Sequence, residues 1–124
     1  MRTILVVEDD AIARKSLSAF LTGEGYQVEQ ASDGMEALEI LKDRTFDLVL
    51  SDIVMPRMDG LALIQHVRSN WPQTRIIAMT AYFQADSDKR FSVAGANGFI
   101  RKPIVLDDLL SRIQRLRPQE NSTA

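Results

Sequence analysis

Residues 4–10 read Ile4-Leu5-Val6-Val7-Glu8-Asp9-Asp10, and the break in the middle of this stretch decides the fold. A continuous apolar run rich in β-branched residues fits a strand buried on both faces, as in the interior of a parallel sheet. The run stops at three adjacent carboxylates. Like charges raise each other's pKa and resist sharing a site. Acids packed against the end of a buried strand therefore ask for a compensating cation.

The same alternation recurs along the chain. Ala13, Leu17, Phe20 and Leu21 fall on one helical face, which Gly23 and Gly25 terminate. Tyr26 to Gln30 alternates apolar and polar, the pattern of an edge strand. Asp33, with Glu36 three residues on, forms a capping-box pattern before a helix through Leu38 and Leu41. Phe46 to Leu50 is a second buried-type strand and ends at Ser51-Asp52. Asp59 is placed to cap a helix that turns Leu63, Ile64 and Val67 inward. Arg75 to Met79 is a fourth strand, ending at Thr80. Residues 84–94 read as a fourth helix with a weak apolar face. Gly98-Phe99-Ile100 is a short fifth strand, and Leu106, Leu109, Leu110 and Ile113 give the inward face of a fifth helix. Five strand–helix units in 124 residues predict an α/β, flavodoxin-like (βα)5 doubly wound parallel sheet with strand order 2-1-3-4-5. A closed barrel needs about eight such units.

The bulk composition agrees with one globular domain: 45% of residues are hydrophobic, 26% are charged, and the formal net charge is −2. That charge speaks against nucleic-acid binding by this domain. There is no cysteine, hence no disulfide, thiol nucleophile or Cys-based zinc site. The apolar run at the N-terminus is too short for a signal peptide, and no stretch suits a bilayer span. A cytoplasmic protein with no membrane partner is the expectation.

In an open α/β sheet, ligands bind beyond the carboxyl ends of the strands, where the winding reverses. The sequence places Glu8, Asp9 and Asp10 at the end of strand one, Asp52 at strand three, Thr80 and Ala81 at strand four, and Arg101-Lys102-Pro103 at strand five. Any one acid fits a helix cap or a solvated loop, and Asp10, directly before Ala11-Ile12-Ala13, is assigned to the helix N-terminus, where its charge faces the positive end of the dipole. The set together fits a hard divalent cation, Mg²⁺ or Mn²⁺, beside an oxyanion. No glycine-rich phosphate loop follows the first strand, which disfavours nucleotide or flavin binding there. Asp52, next to the cation, is placed to act as a carboxylate nucleophile.

These residues carry a family resemblance. ILVVEDD, SDIVMPRMDG, MTA and GFIRKP, in that order and each at its strand end, resemble the receiver domain of two-component response regulators, over about Thr3 to Leu116. The resemblance implies that Asp52 accepts a phosphoryl group from a phosphohistidine on a histidine kinase or histidine phosphotransfer protein. It implies that Glu8, Asp9, Asp52 and the backbone carbonyl of Val54 hold the metal, and that Thr80 and Lys102 hold the phosphoryl group. Thr80 and Phe99 correspond to the switch pair, Val54, Ala81 and Tyr82 border the phosphate, and the Lys102-Pro103 bond is expected to be cis. The product is then a conformational state of the face formed by the fourth helix, fifth strand and fifth helix (α4-β5-α5 in order). A downstream protein or effector domain reads that face, with the receiver a monomer or a phosphorylation-dependent dimer. The domain is expected over residues 1–118, with 119–124 a flexible tail or truncated linker. The start at Met1 and the short tail fit either a stand-alone receiver or one cut at a linker. The absence of an acidic start to strand five in GANGFI tilts the expectation toward a stand-alone or other type and away from the winged-helix transcription-factor branch.

Two other functions remain open on sequence. A metal-dependent phosphatase working through an aspartyl phosphate would want a second acid two residues after Asp52, where Val54 stands. A phosphorylation-independent, protein-binding receiver has no need of the intact acids, Thr80 and Lys102. The lone histidine, His66, sits in a helix with no features of a phosphotransfer site. Glu8 replaces the commoner Asp of the acidic pair and ranks below Asp9 as a direct ligand, and Phe99 lacks the hydroxyl of the frequent Tyr. Val54 and Tyr82 are bulky and offer no general base to water attacking a phosphoaspartate. Slow self-dephosphorylation follows, and Val54→Asn and Tyr82→Glu should each speed decay of the phosphorylated form, followed by intact mass over time. Unchanged decay in both variants would refute it.

Overall fold

The computed structural model describes residues 2–53, 60–80 and 95–116. Five parallel strands, β1 (Thr3–Val7), β2 (Gln27–Ala31), β3 (Leu48–Asp52), β4 (Arg75–Thr80) and β5 (Gly98–Arg101), form one sheet of order β2-β1-β3-β4-β5. The strand order is the one expected from the buried and edge patterns. Helices α1 (Ala11–Gly23), α2 (Gly34–Asp43) and α3 (Gly60–Asn70) follow the first three strands, and a C-terminal helix, Leu106–Arg115, follows β5. The expected helix at 84–94, the Asp59 cap, and Val54, Ala81 and Tyr82 lie outside the described residues.

Strand alternation sorts the core into two layers. Leu5 and Val7 of β1, Val49 of β3 and Ile76 and Ala78 of β4 face α2 and α3, where they meet Ala37, Leu41, Leu63, Ile64 and Val67. Ile4 and Val6, Leu48 and Leu50, Ile77 and Met79, and Ile100 face α1 and the C-terminal helix, meeting Leu17, Leu21, Leu109 and Ile113. β1 and β3 are apolar on both sides because both sides are covered. β2 pairs only with β1 and keeps polar residues on its outer positions.

Helix starts follow the sequence signals. Asp10 Oδ1 accepts from Ile12 N at 2.9 Å and Ala13 N at 3.2 Å, capping α1. Asp33 Oδ1 accepts from Glu36 N at 2.8 Å, while the Glu36 carboxylate reaches back to Ser32 N at 2.6 Å. The box thus closes on Ser32. β2 begins one residue later than the alternation suggests, because Tyr26 N still bonds to Leu21 O at the end of α1. One expected inward residue is not inward: Leu106, the first residue of the last helix, is 37% exposed, whereas Leu109 and Ile113 one and two turns on are buried.

At the amino ends of the strands, Arg68 of α3 uses all its guanidinium N–H groups. Nε and one terminal nitrogen donate to Gly95 O (3.1 and 2.9 Å), that nitrogen also to Asn97 Oδ1 (2.8 Å), and the other to Pro72 O (2.8 Å) and Thr74 O (2.9 Å). Asn97 Oδ1 also accepts from Ile76 N at 2.8 Å, which ties the start of β5 to β4. Gly95 has φ +113°, and a Cβ there would come within 2.9 Å of Arg68 Cγ, so this approach requires glycine.

Asp47 fastens the start of β1. Its Oδ2 accepts from Arg2 N at 2.7 Å and Thr3 N at 3.2 Å. Partial burial pushes this carboxyl up, but the N–H groups of Arg2 and Thr3 outweigh burial and hold it below the usual carboxylate range. A carboxyl with a depressed folded pKa contributes stability that is present above its unfolded value, near 3.8, and is lost as pH falls through the folded value. Asp47→Asn should therefore lower the urea midpoint at neutral pH and narrow its difference from wild type below about pH 3.8. A difference that is constant down the acid limb would contradict this.

Candidate functional site

The acidic site is built by register and parity. Val7 pairs with Ser51, so Glu8 emerges level with Asp52 on the neighbouring strand. Asp52 pairs with Met79, and Thr80 with Arg101, so Thr80 and Lys102 emerge at the same rim. Alternation continues Ile4-Val6 to Glu8, Leu48-Leu50 to Asp52 and Ile100 to Lys102, on the side of the sheet that faces α1 and the C-terminal helix. Thr80 continues Ile76-Ala78 on the opposite side, the side on which Phe99 packs half-buried against the core. The rim lies over β1 and β3, where the strand order reverses.

Lys102 is the centre of the cluster. Its Nζ lies 2.8 Å from Glu8 Oε1 and 3.1 Å from Asp52 Oδ2. Glu8 is 1% exposed and Asp52 6%, so both carboxylates are largely removed from water. A buried carboxylate without a partner is strongly disfavoured, and the ammonium supplies that partner. Burial alone would pull the Lys102 pKa down, but the bonds and charges of Glu8 and Asp52 outweigh it and hold the ammonium above the usual lysine range. Lys102 therefore stays charged throughout physiological pH. The Lys102-Pro103 peptide is cis, as the resemblance implied, and Lys102 N donates to Thr80 O at 2.7 Å.

The three candidate metal carboxylates divide in character. Glu8 uses both oxygens within the protein: Oε1 on Lys102 and Oε2 on Asp10 N at 3.1 Å. Asp9 is exposed. Oxygens of Glu8, Asp9 and Asp52 lie within 4.8 Å of one another, close enough to share one ion. An all-oxygen carboxylate set suits Mg²⁺ or Mn²⁺ rather than a thiophilic metal. Asp10, the third acid of the run, is occupied in capping α1 and is not part of this group. Thr80 is buried at 2% exposure. Ser51 is also buried and turns its hydroxyl to the Asp52 carbonyl at 2.9 Å, fixing the backbone under the nucleophile candidate. Sequence reasoning did not single out Ser51, and only its place beside Asp52 in a buried strand signals it.

Residues 4–114 match the response regulator receiver domain. The chain belongs to the response regulator receiver family. The receiver is 39% identical over 113 residues to the response regulator MprA of Mycobacterium sp. (strain KMS), covering 91% of this chain and 49% of that protein. It is 42% identical over 114 residues to MprA of Mycobacterium leprae, covering 91% of this chain and 50% of that protein. The receiver thus spans about half the length of the curated relatives it matches. Among solved structures, the chemotaxis protein CheY4 of Vibrio cholerae superposes with a TM-score of 0.88 at 34% identity, covering 93% of this chain and 98% of that one. The receiver domain of NtrX from Brucella abortus gives 0.84 at 31% identity, covering 90% and 95%.

Within the receiver, His66 is exposed on α3, and Trp71 packs half-buried against the core. Among the described residues, no helix is long and apolar enough to cross a membrane. The separation of Asp10 from the cation cluster has a measurable consequence. Asp10→Ala should cost about 1 kcal/mol of stability through loss of the α1 cap, read from urea unfolding. Mg²⁺ affinity, read by calorimetry, should stay nearly unchanged, and a loss of affinity as large as that of Asp9→Ala would reverse the assignment.

Proposed function

We propose that this receiver is a phosphoacceptor, with Asp52 taking a phosphoryl group from a phosphohistidine on a histidine kinase or histidine phosphotransfer protein. The observation that carries the reading is Lys102 held between Glu8 and Asp52, with the Asp9 carboxylate alongside. A candidate nucleophile, a fixed ammonium and a carboxylate cluster meet at the rim formed by the carboxyl ends of the strands. Asp9 and Asp52, with Glu8 and the Val54 carbonyl, would hold Mg²⁺ or Mn²⁺. When bound, that cation offsets carboxylate repulsion and neutralises phosphoryl oxygens.

An Asp52 carboxylate oxygen forms the new P–O bond as the P–N bond of the phosphoimidazole breaks. The imidazole nitrogen leaves with the bonding pair and takes a proton from solvent. Charge builds on the equatorial phosphoryl oxygens in such a transfer. Lys102 and Thr80 stand at the rim where those oxygens arrive, and Lys102 is already charged and fixed, so little reorganisation is needed. Thr80 and Phe99 share one side of the sheet, which supports the reading that a shift of Thr80 toward the phosphate is felt by Phe99. The output is then a conformation at β5 and the elements flanking it, read by a partner protein or effector domain in the cytoplasm. The chain acts as a switch that assists its own phosphorylation and dephosphorylation, not as a turnover enzyme.

Incubation with Mg²⁺ and acetyl phosphate, followed by intact mass, tests this. Wild type should carry one phosphate, Asp52→Asn none, and Asp9→Ala should be slowed roughly a hundredfold or more. Donor turnover without a stable adduct would instead indicate a phosphatase. No modification at all would indicate a receiver that acts by binding alone.

A further inference from the structure

Glu8 is anchored at every polar atom. Its N–H donates to Ala31 O at 3.0 Å, and its two carboxylate oxygens accept from Lys102 and from Asp10 N. Its carbonyl lies one residue past the β1–β3 ladder, which ends at Val7 and Ser51. A backbone carbonyl at a buried residue needs a partner. That partner is a side chain, Arg14, which donates from a terminal nitrogen at 2.9 Å. Arg14 Nε also donates to Gln30 Oε1 of β2 at 3.2 Å.

The position is a costly one for a cation. Arg14 N bonds to Asp10 O in the first turn of α1, where the helix dipole is positive. An arginine there works against the helix unless it gains elsewhere. What it gains is a charge-assisted bond to the residue that seats Lys102. Gln30, Arg14, Glu8, Lys102 and Asp52 then form one continuous chain of polar contacts, from the sheet edge to the phosphoacceptor.

We propose that Arg14 is a positioning residue for phosphoryl transfer: by bonding the Glu8 carbonyl it fixes the turn that holds the Glu8 carboxylate against Lys102. The inference rests on the phosphoacceptor reading above. Its content is that a side chain outside the acidic cluster sets where the lysine stands. The Gln30 bond is a separate contact, tying α1 to β2, and serves as the internal control.

Two measurements test it on the intact chain. The first needs no phosphorylation: amide hydrogen exchange at Asp10, whose N–H is held by Glu8 Oε2. Arg14→Ala should speed that exchange several-fold, and Gln30→Ala should not. The second is the rate of phosphorylation by acetyl phosphate at saturating Mg²⁺. Arg14→Ala should lower the maximal rate roughly tenfold, since a small misplacement of a catalytic group costs rate. Arg14→Lys, which keeps one charged donor for the carbonyl, should recover most of the rate, and Gln30→Ala should stay within about twofold of wild type. If Gln30→Ala matches Arg14→Ala in both measurements, Arg14 is only a staple between α1 and β2 and the proposal falls. It falls equally if Arg14→Ala leaves the Asp10 amide protected. Should wild type take no phosphate while Arg14→Ala still frees that amide, the phosphoacceptor reading fails and the anchoring of Glu8 stands.

Discussion

Lys102 stands between two carboxylates that are almost wholly withdrawn from water, and the rest of the site is arranged around that contact. Desolvating an ion costs several kcal/mol, and only close, well-formed opposite charge offsets it. The geometry that brings the charges together is the parity of the strands. Glu8, Asp52 and Lys102 each extend a row of side chains that packs against α1 and the C-terminal helix. A slip of one residue in β1, β3 or β5 would turn its charged residue to the other side of the sheet. The apolar rows beneath fix the register, so the core that stabilises the sheet also aims the chemistry.

The imbalance of the cluster matters as much as its pairing. Three carboxylates lie together, and two of them, Glu8 and Asp52, share one ammonium. Glu8 is committed to Lys102 and to the Asp10 amide, whereas Asp9 is exposed. The residual negative charge is thus presented on the solvent side. Burying one acid and exposing its neighbour lets adjacent residues do different work.

Much of this was legible in the sequence because it is local or periodic. The uninterrupted apolar runs of β1 and β3 announced central strands, and the alternation of β2 announced an edge. The acids, Thr80 and Lys102 stand directly at strand ends, so the fold alone brings them to one rim. Asp10 could be separated from Asp9 because a cap is read from the residues that follow it. The partners of Glu8 were not legible. Its bond to Lys102 joins residues far apart in the chain, and nothing in the local pattern says which of two adjacent acids turns inward. The Leu106 position failed for a related reason: helical periodicity gives a face but not how far along the helix that face is covered. The role of Arg68 was not legible either, since its acceptors are mostly backbone carbonyls, which leave no trace in side-chain patterning.

The Arg68–Gly95 contact gives the molecule unequal stiffness along its strands. One guanidinium bolts the base of β4, the base of β5 and the end of α3 into a single plate. Its planar fork is already the right shape, so the plate forms with little loss of side-chain freedom. The opposite end of the sheet carries the acids and the ion pairs of Lys102. A molecule built this way behaves like a tuning fork clamped at its stem: a disturbance at the tips is expressed there, against a base that does not yield.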